Sequence, residues 1–164
     1  MGLTLDIGCG AHKHPGAVGV DRRIVPGVAV ICDFEQGLPF REGSATSVYL
    51  HNIVEHMANL IGFMEELYRI CEPGAKVYVR TPWYASREAF VDPTHVRYIT
   101  EATFEYFDSP NYYGLKTNFK IRSTSFKMRG VFRFMPAYFQ KRCRRYLWNA
   151  CIEIDIELEA VKPL

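Results

Sequence analysis

Three kinds of residue in this chain can do chemistry together: glycines that leave a turn bare, carboxylates that close short apolar runs, and two histidines in polar clusters. The bare turn ends the stretch Leu3-Thr4-Leu5-Asp6-Ile7-Gly8-Cys9-Gly10. An apolar run closed by Gly-x-Gly reads as a buried parallel strand feeding a tight turn, where the missing Cβ atoms let a ligand lie against the backbone. A dinucleotide site needs a third glycine and a helix N-terminus facing the pyrophosphate. Here the third position is Lys13, and only residues 11–16, ending in Pro15-Gly16, separate the turn from the next apolar run. NAD and FAD are therefore disfavoured.

A ligand with an adenosine but no phosphate asks less of such a turn. It needs close backbone approach from Gly8 to Gly10 and a carboxylate for the ribose hydroxyls, and Asp21 closes the second run, Ala17-Val18-Gly19-Val20, where that carboxylate belongs. A third run, Val28 to Cys32, is followed by Asp33-Phe34. Asp33 can accept from an adenine amino group while Phe34 packs on the ring; the alternative is a surface turn with a buried Phe34.

The elements that position these residues follow from periodicity. A fourth strand, Ser47-Val48-Tyr49-Leu50, runs into His51-Asn52-Ile53-Val54-Glu55-His56-Met57. Asn59 is placed to cap a helix whose apolar positions are Leu60, Met64, Leu67, Tyr68 and Cys71, with Pro73-Gly74 as its stop and Lys76–Arg80 as strand five. Residues 83 to 118 crowd nine aromatics around a dense polar group, Asp92-Pro93-Thr94-His95-Val96-Arg97-Tyr98, and Thr100 can cap a helix from Glu101. Phe119 to Met128 reads as strand six, and Ile152 to Val161, alternating Ile/Leu with Glu/Asp, as its final partner. Between them, residues 131 to 149 mix aromatics with arginines and read as a cover over the last crossover, or alternatively as an amphipathic helix on a membrane surface or a partner.

At 164 residues and 48% hydrophobic, the chain can bury one proper core, and residues 1–164 read as one domain. Five cysteines without a Cys-x-x-Cys pair and the lack of a long apolar span fit a reducing, cytoplasmic setting. The net charge of +2 hides a strong asymmetry: ten of the twenty Lys/Arg lie between residues 109 and 152, where no Asp or Glu occurs. That block suits an anionic partner or is simply a solvated basic face.

Residues 3 to 82 resemble a small, type 11-like class I S-adenosylmethionine-dependent methyltransferase. The resemblance rests on Leu5-Asp6-Ile7-Gly8-Cys9-Gly10, Gly19-Val20-Asp21, Cys32-Asp33-Phe34 with Leu38-Pro39-Phe40, Val54-Glu55-His56-Met57, and Glu72-Pro73-Gly74 before strand five. It implies an α/β fold with a Rossmann-like, mainly parallel sheet ending in an antiparallel C-terminal hairpin, and S-adenosylmethionine as cofactor. Carried over by position, Asp6, Gly8 and Gly10 lie at the methionine end, Asp21 at the ribose, and Asp33 and Phe34 at the adenine, with Cys9, Arg22, His51 and Asn52 as further cofactor-binding residues. Family members usually place helices before strand one, and here only Met1 and Gly2 precede it. The expectation is a thin outer layer on that side, a lid supplied by residues 83–118, and a homodimer as one way to cover the exposed face.

Methyl transfer from a sulfonium is an in-line displacement, in which positioning of the acceptor supplies about 7–11 kcal/mol of barrier reduction. A hydroxyl acceptor must also lose a proton, a task suited to an imidazole. His56 and His95 are the candidate catalytic bases, the alternative for each being a structural histidine. No metal site is assigned. Some O-methyltransferases carry Glu-x-x-Glu-His after strand four, but here Asn52 takes the first position, leaving Glu55, His56 and His95 as an incomplete set. The reading is methyl transfer to a small or glycan-like hydroxyl or amine acceptor. The alternatives are an inactive cofactor-binding adaptor that uses the basic 109–152 segment, with peripheral membrane contact as one form, and an RNA methyltransferase supported only by that basic block.

Overall fold

The computed structural model describes residues 2–108 and 114–162. Seven strands form one sheet: β1 (Leu3–Ile7), β2 (Val18–Asp21), β3 (Val28–Ile31), β4 (Ala45–His51), β5 (Cys71–Pro82), β6 (Phe119–Met128) and β7 (Cys151–Ala160), in the order β3-β2-β1-β4-β5-β7-β6. The first five pair in parallel, and β7 inserts antiparallel between β5 and β6. The mainly parallel α/β sheet with its antiparallel hairpin thus forms as the sequence implies. β5 starts earlier than Lys76, directly at the end of the preceding helix, with a register shift that accommodates Pro73-Gly74.

That helix is α1 (Leu60–Ile70), and the Asn59 side chain caps it by accepting from the Gly62 N–H at 3.0 Å. Leu60, Phe63, Met64, Leu67 and Ile70 form its buried stripe. They belong to one core with Leu5, Ile7, Val48, Leu50, Val77, Val79, Ile154, Ile156 and Leu158, which share one face of the sheet. A short helix, α2 (Glu88–Val91), and a 3₁₀ turn over Glu101–Phe107 follow β5. The helix anticipated from Glu101 is thus 3₁₀, with Thr100 N–H donating to Thr103 Oγ1 at 3.1 Å. It is anchored by the buried rings of Phe104 and Phe107. Tyr112 and Tyr113 of the aromatic stretch lie outside the described residues.

The opposite face of the sheet is polar. Alternation along β4, β5 and β7 sends Tyr49, Lys76, Tyr78, Arg80, Asp155, Glu157 and Glu159 there, the pattern of a sheet wet on one side. Ion pairs cross its strands: Lys76 Nζ to Glu159 at 2.6 Å, Arg80 Nε to Asp155 at 2.6 Å, Arg122 Nη2 to Glu159 at 2.9 Å and Lys127 Nζ to Glu153 at 2.9 Å. Among the described residues no helix joins β1 to β2 or β2 to β3. The β1–β2 loop instead lays the His14 ring on Tyr49, 3.8 Å between centroids, and Tyr49 stacks on Tyr78 at 4.9 Å. The thin outer layer is therefore a solvated surface in its own right.

One expectation holds only in part. The segment after β6 contains a 3₁₀ turn (Gly130–Phe134) and α3 (Ala137–Tyr146), and neither buries a single residue. It covers the core only in part, with Phe132 and Cys143 packing half-buried against it. Only a few groups tie it to the body, among them Arg144, whose carbonyl accepts from Trp83 Nε1 at 3.2 Å and whose guanidinium lies 3.8 Å from the Phe126 ring centre.

Candidate active site

At the carboxyl ends of β1, β2 and β4, where open α/β sheets bind ligands, lies a cleft of about 440 Å³. It is lined by Gly8, Asp21, Arg22, Arg23, Phe34, Asn52, Ile53, His56, Met57 and Thr94. Its volume is within the range of small-molecule sites. Six of the residues singled out from sequence line it: Gly8, Asp21, Arg22, Phe34, Asn52 and His56.

The floor is built by the glycine turn. Gly8 has φ +70°, and a Cβ there would stand 1.9 Å from Ile53 Cδ1. Only glycine fits both the left-handed backbone and the close approach. Gly10 does not line the cleft but donates its N–H to Asp21 Oδ2 at 2.9 Å, while Arg23 N–H donates to Oδ1 at 2.9 Å. Burial alone would raise the Asp21 carboxyl, but the two backbone N–H groups and the Arg23 guanidinium hold it below the usual range. Asp21 is thus a fixed anion with acceptor capacity left for a ligand hydroxyl. Cys9 stays out of the cleft, its sulfur on the Gly19 side, where a Cβ on Gly19 would meet it at 2.9 Å.

At one end, Arg22 spans two predicted positions. Its guanidinium is 4.8 Å from the Phe34 ring centre and 2.8 Å from Asp33 Oδ1. Phe34 is buried against Phe63, and Asp33 also accepts from Glu35 N–H at 3.2 Å. Asp33 is therefore held by Arg22 beside the cleft. On the far side, Asn52 takes φ +55°, a conformation rare for a non-glycine residue.

Asp6 and His51 lie elsewhere. Asp6 is buried at 2% exposure on the Tyr49 side of β1, where it accepts from His14 N–H at 2.6 Å. His51 borders a separate hollow of about 330 Å³ on the polar face with His14, Tyr49, Tyr78 and Arg80. Burial and the Arg80 charge lower its imidazole pKa.

The two histidines meet, 4.7 Å between ring centroids. Their contact depends on residues 92–97 docking on the turn Val54–His56. Val96 and Arg97 N–H both donate to Glu55 O, at 2.9 and 3.1 Å, and the Arg97 side chain donates to Met57 O at 2.6 Å and to Ala58 O. Thr94 then orients His56. The Thr94 hydroxyl donates to Asp92 Oδ1 at 2.6 Å, so its oxygen is left to accept from His56 Nδ1–H at 3.0 Å, with Thr94 O at 3.3 Å. Nε2 of His56 consequently carries the free lone pair. His95 Nδ1 is 3.0 Å from Ala89 O, which likewise places its proton on Nδ1.

Behind them Glu55, 1% exposed, accepts from Thr81 Oγ1 at 2.9 Å through Oε2, while Oε1 has no partner. Burial pushes its carboxyl pKa up. One ligand atom each from Glu55, His56 and His95 lies within 4.8 Å of the other two. Sequence reasoning left Thr94, Arg97, Ile53 and Met57 out of the site. The polar run 92–98 was the visible signal, but the partner of each residue depends on the docking.

Three observations fit an adenosyl sulfonium cofactor: a backbone left bare at Gly8, a fixed carboxylate at Asp21, and an aromatic face at Phe34. Comparisons with known proteins agree. Residues 5–79 match a family model of the type 11 methyltransferase domain. No curated protein matches. Among solved structures, an S-adenosylmethionine-dependent methyltransferase from Archaeoglobus fulgidus superposes with a TM-score of 0.67 at 15% identity, over 96% of this chain and 86% of that one. The putative methyltransferase crystallised with a methyltransferase activator from Haloferax volcanii gives 0.63 at 14% identity, over 98% and 83%. The [4+2]-cyclase SpnF gives 0.64 at 16%, over 99% and 76%, so this fold also serves other chemistry. Residues 5–79 thus match the methyltransferase-domain family model, and the seven-stranded sheet has the fold of solved S-adenosylmethionine-dependent methyltransferases.

Proposed function

We propose that the cleft transfers the methyl group to a hydroxyl or amine of a small or glycan-like acceptor, with His56 as the base that receives the acceptor proton. The observation that carries this reading is the position of His56: it lines the same cleft as Gly8 and Asp21, and Thr94 fixes its proton on Nδ1. The cofactor supplies an electrophilic methyl group when bound. Asp21 holds the ribose hydroxyls, Phe34 and Asp33 the adenine end, and the bare backbone at Gly8 admits the methionine end. His56 Nε2 takes the proton, and His95 packs edge-on against it as a positioning group. Of the aromatic and polar stretch after β5, residues 92–97 act as the lid edge, docked through Arg97 so that Thr94 lines the cleft. The test is turnover with hydroxyl and amine acceptors: His56→Ala lowers kcat by about 10²–10⁴ while S-adenosylhomocysteine affinity stays within a few-fold. Equal turnover would remove His56 from the mechanism.

A second reading is favoured by one observation, the unpartnered Oε1 of buried Glu55 beside both imidazoles. One carboxylate and two imidazoles suit a divalent transition-metal ion, which would take the lone pairs that the base mechanism uses. Loss of activity on chelation, restored by a divalent ion, would select it.

A further inference from the structure

We propose that the segment Gly130–Trp148 seats this protein on an anionic membrane surface. The segment carries large apolar side chains, and its helical elements fully bury none of them. Phe134 is 76% exposed, Tyr146 68%, Tyr138 64% and Trp148 61%. Such a patch on a folded domain marks an interaction surface. It continues onto the segment after β5, for Trp148 lies 5.3 Å from Phe90, and Phe90 stacks on Tyr98 at 4.5 Å.

Charge selects the occupant. Arg133, Lys141, Arg142, Arg144 and Arg145 are interleaved with the aromatics, and residues 109–152 hold no acid. Glu88, paired with Arg129 at 2.5 Å, and Glu101, on the wall of a hollow of about 330 Å³ rimmed by Lys141, Arg144 and Arg145, are acids that border this region. The hollow gives a lipid phosphate a place between cations. Cationic groups beside tyrosine, tryptophan and phenylalanine are the composition of helices that lie in a bilayer interface, where the anionic surface attracts each Lys or Arg and the rings enter the acyl boundary. A second copy of the chain fits poorly, because a two-fold contact would set this cationic patch against itself. A nucleic acid would leave Val131, Phe134 and Leu147 wet. Among the described residues no helix is long and apolar enough to cross a membrane, so the contact is peripheral.

The test uses the whole chain with vesicles of phosphatidylglycerol and phosphatidylcholine, against vesicles of phosphatidylcholine alone. Trp148 is a built-in probe, because the other tryptophan, Trp83, is 3% exposed and blind to the surface. The expected result is co-sedimentation with the anionic vesicles only, a blue shift of Trp148 emission, and release by salt. Arg142→Glu with Arg145→Glu should lower partitioning more than about tenfold, and Phe134→Ser with Tyr138→Ser should abolish the blue shift. Both pairs are exposed, and circular dichroism checks their folding; the salt titration of the wild type needs no variant. Absence of binding by the folded wild type, or equal binding to both vesicles, would overturn the proposal. So would a dimer that Phe134→Ser with Tyr138→Ser dissociates, which would assign the patch to a second copy.

Discussion

Replacing Thr94 by valine removes one hydrogen-bond acceptor and keeps the shape of the side chain. In the wild type the Thr94 hydroxyl is committed to Asp92 Oδ1 at 2.6 Å, and its oxygen accepts from His56 Nδ1 at 3.0 Å. The backbone carbonyl of Thr94, at 3.3 Å, survives the substitution as a longer acceptor. A neutral hydrogen bond contributes about 0.5–1.5 kcal/mol net, so losing the better one shifts the His56 tautomer ratio by about twofold to thirteenfold towards Nε2–H. Every molecule in that tautomer has its proton where the acceptor's must go, so turnover falls with the Nδ1–H fraction, by less than the change in the ratio. Long-range nitrogen–proton spectra of the imidazole read the tautomer directly and need no acceptor. They should show Nδ1–H as the dominant wild-type form and a mixture in Thr94→Val. A wild-type His56 protonated on Nε2 would refute the Asp92–Thr94–His56 chain of reasoning.

Gly8→Ala should cost about 1–2 kcal/mol for the left-handed backbone, displace Ile53, and weaken S-adenosylhomocysteine more than about tenfold; calorimetry on the folded variant checks it. Asn59→Ala should lower stability by about 1 kcal/mol in urea unfolding, since Gly62 N–H loses its cap. On the polar face, hydrogen bonds and ion pairs from Arg122 and Lys76 pull Glu159 down to about 2. Because the folded pKa lies below the unfolded value, this stabilisation is present above about pH 4.3 and disappears as pH falls towards about 2. Urea midpoints of Glu159→Gln should therefore lie below wild type at pH 7, converge at low pH, and differ less in high salt; a deficit unchanged at low pH would contradict the ion-pair account.

Much of the scaffold was legible because its signals are local. Gly8, Asp21 and Phe34 each close a short apolar run, so a strand and its turn deliver them to the same sheet edge. The Ile/Glu alternation of residues 152–161 also declared a strand wet on one face, as β7 is. What sequence could not show is where partners come from. Asp6 carries the family's position, yet its carboxylate is taken by His14 N–H because the shortened β1–β2 loop folds back over β1. Thr94 has no meaning until Val96, Arg97 and Glu55 bring its loop onto the turn that holds His56. Residues 131–149 were ambiguous for another reason: apolar and basic residues at helical spacing describe a helix covering a core and a helix facing a membrane equally well. The structure adds that α3 holds no fully buried residue and touches the core through half-buried Cys143.

The central claim, that this small sheet with one solvated face still holds an adenosyl cofactor, is tested most directly by calorimetric titration of the chain with S-adenosylhomocysteine, using Asp21→Ala as control. The account predicts one site in the wild type, weakened more than about tenfold in Asp21→Ala, where the ribose loses its carboxylate and Gly10 and Arg23 N–H lose their acceptors. No binding by the folded wild-type chain, or equal affinity in a folded Asp21→Ala, would contradict it.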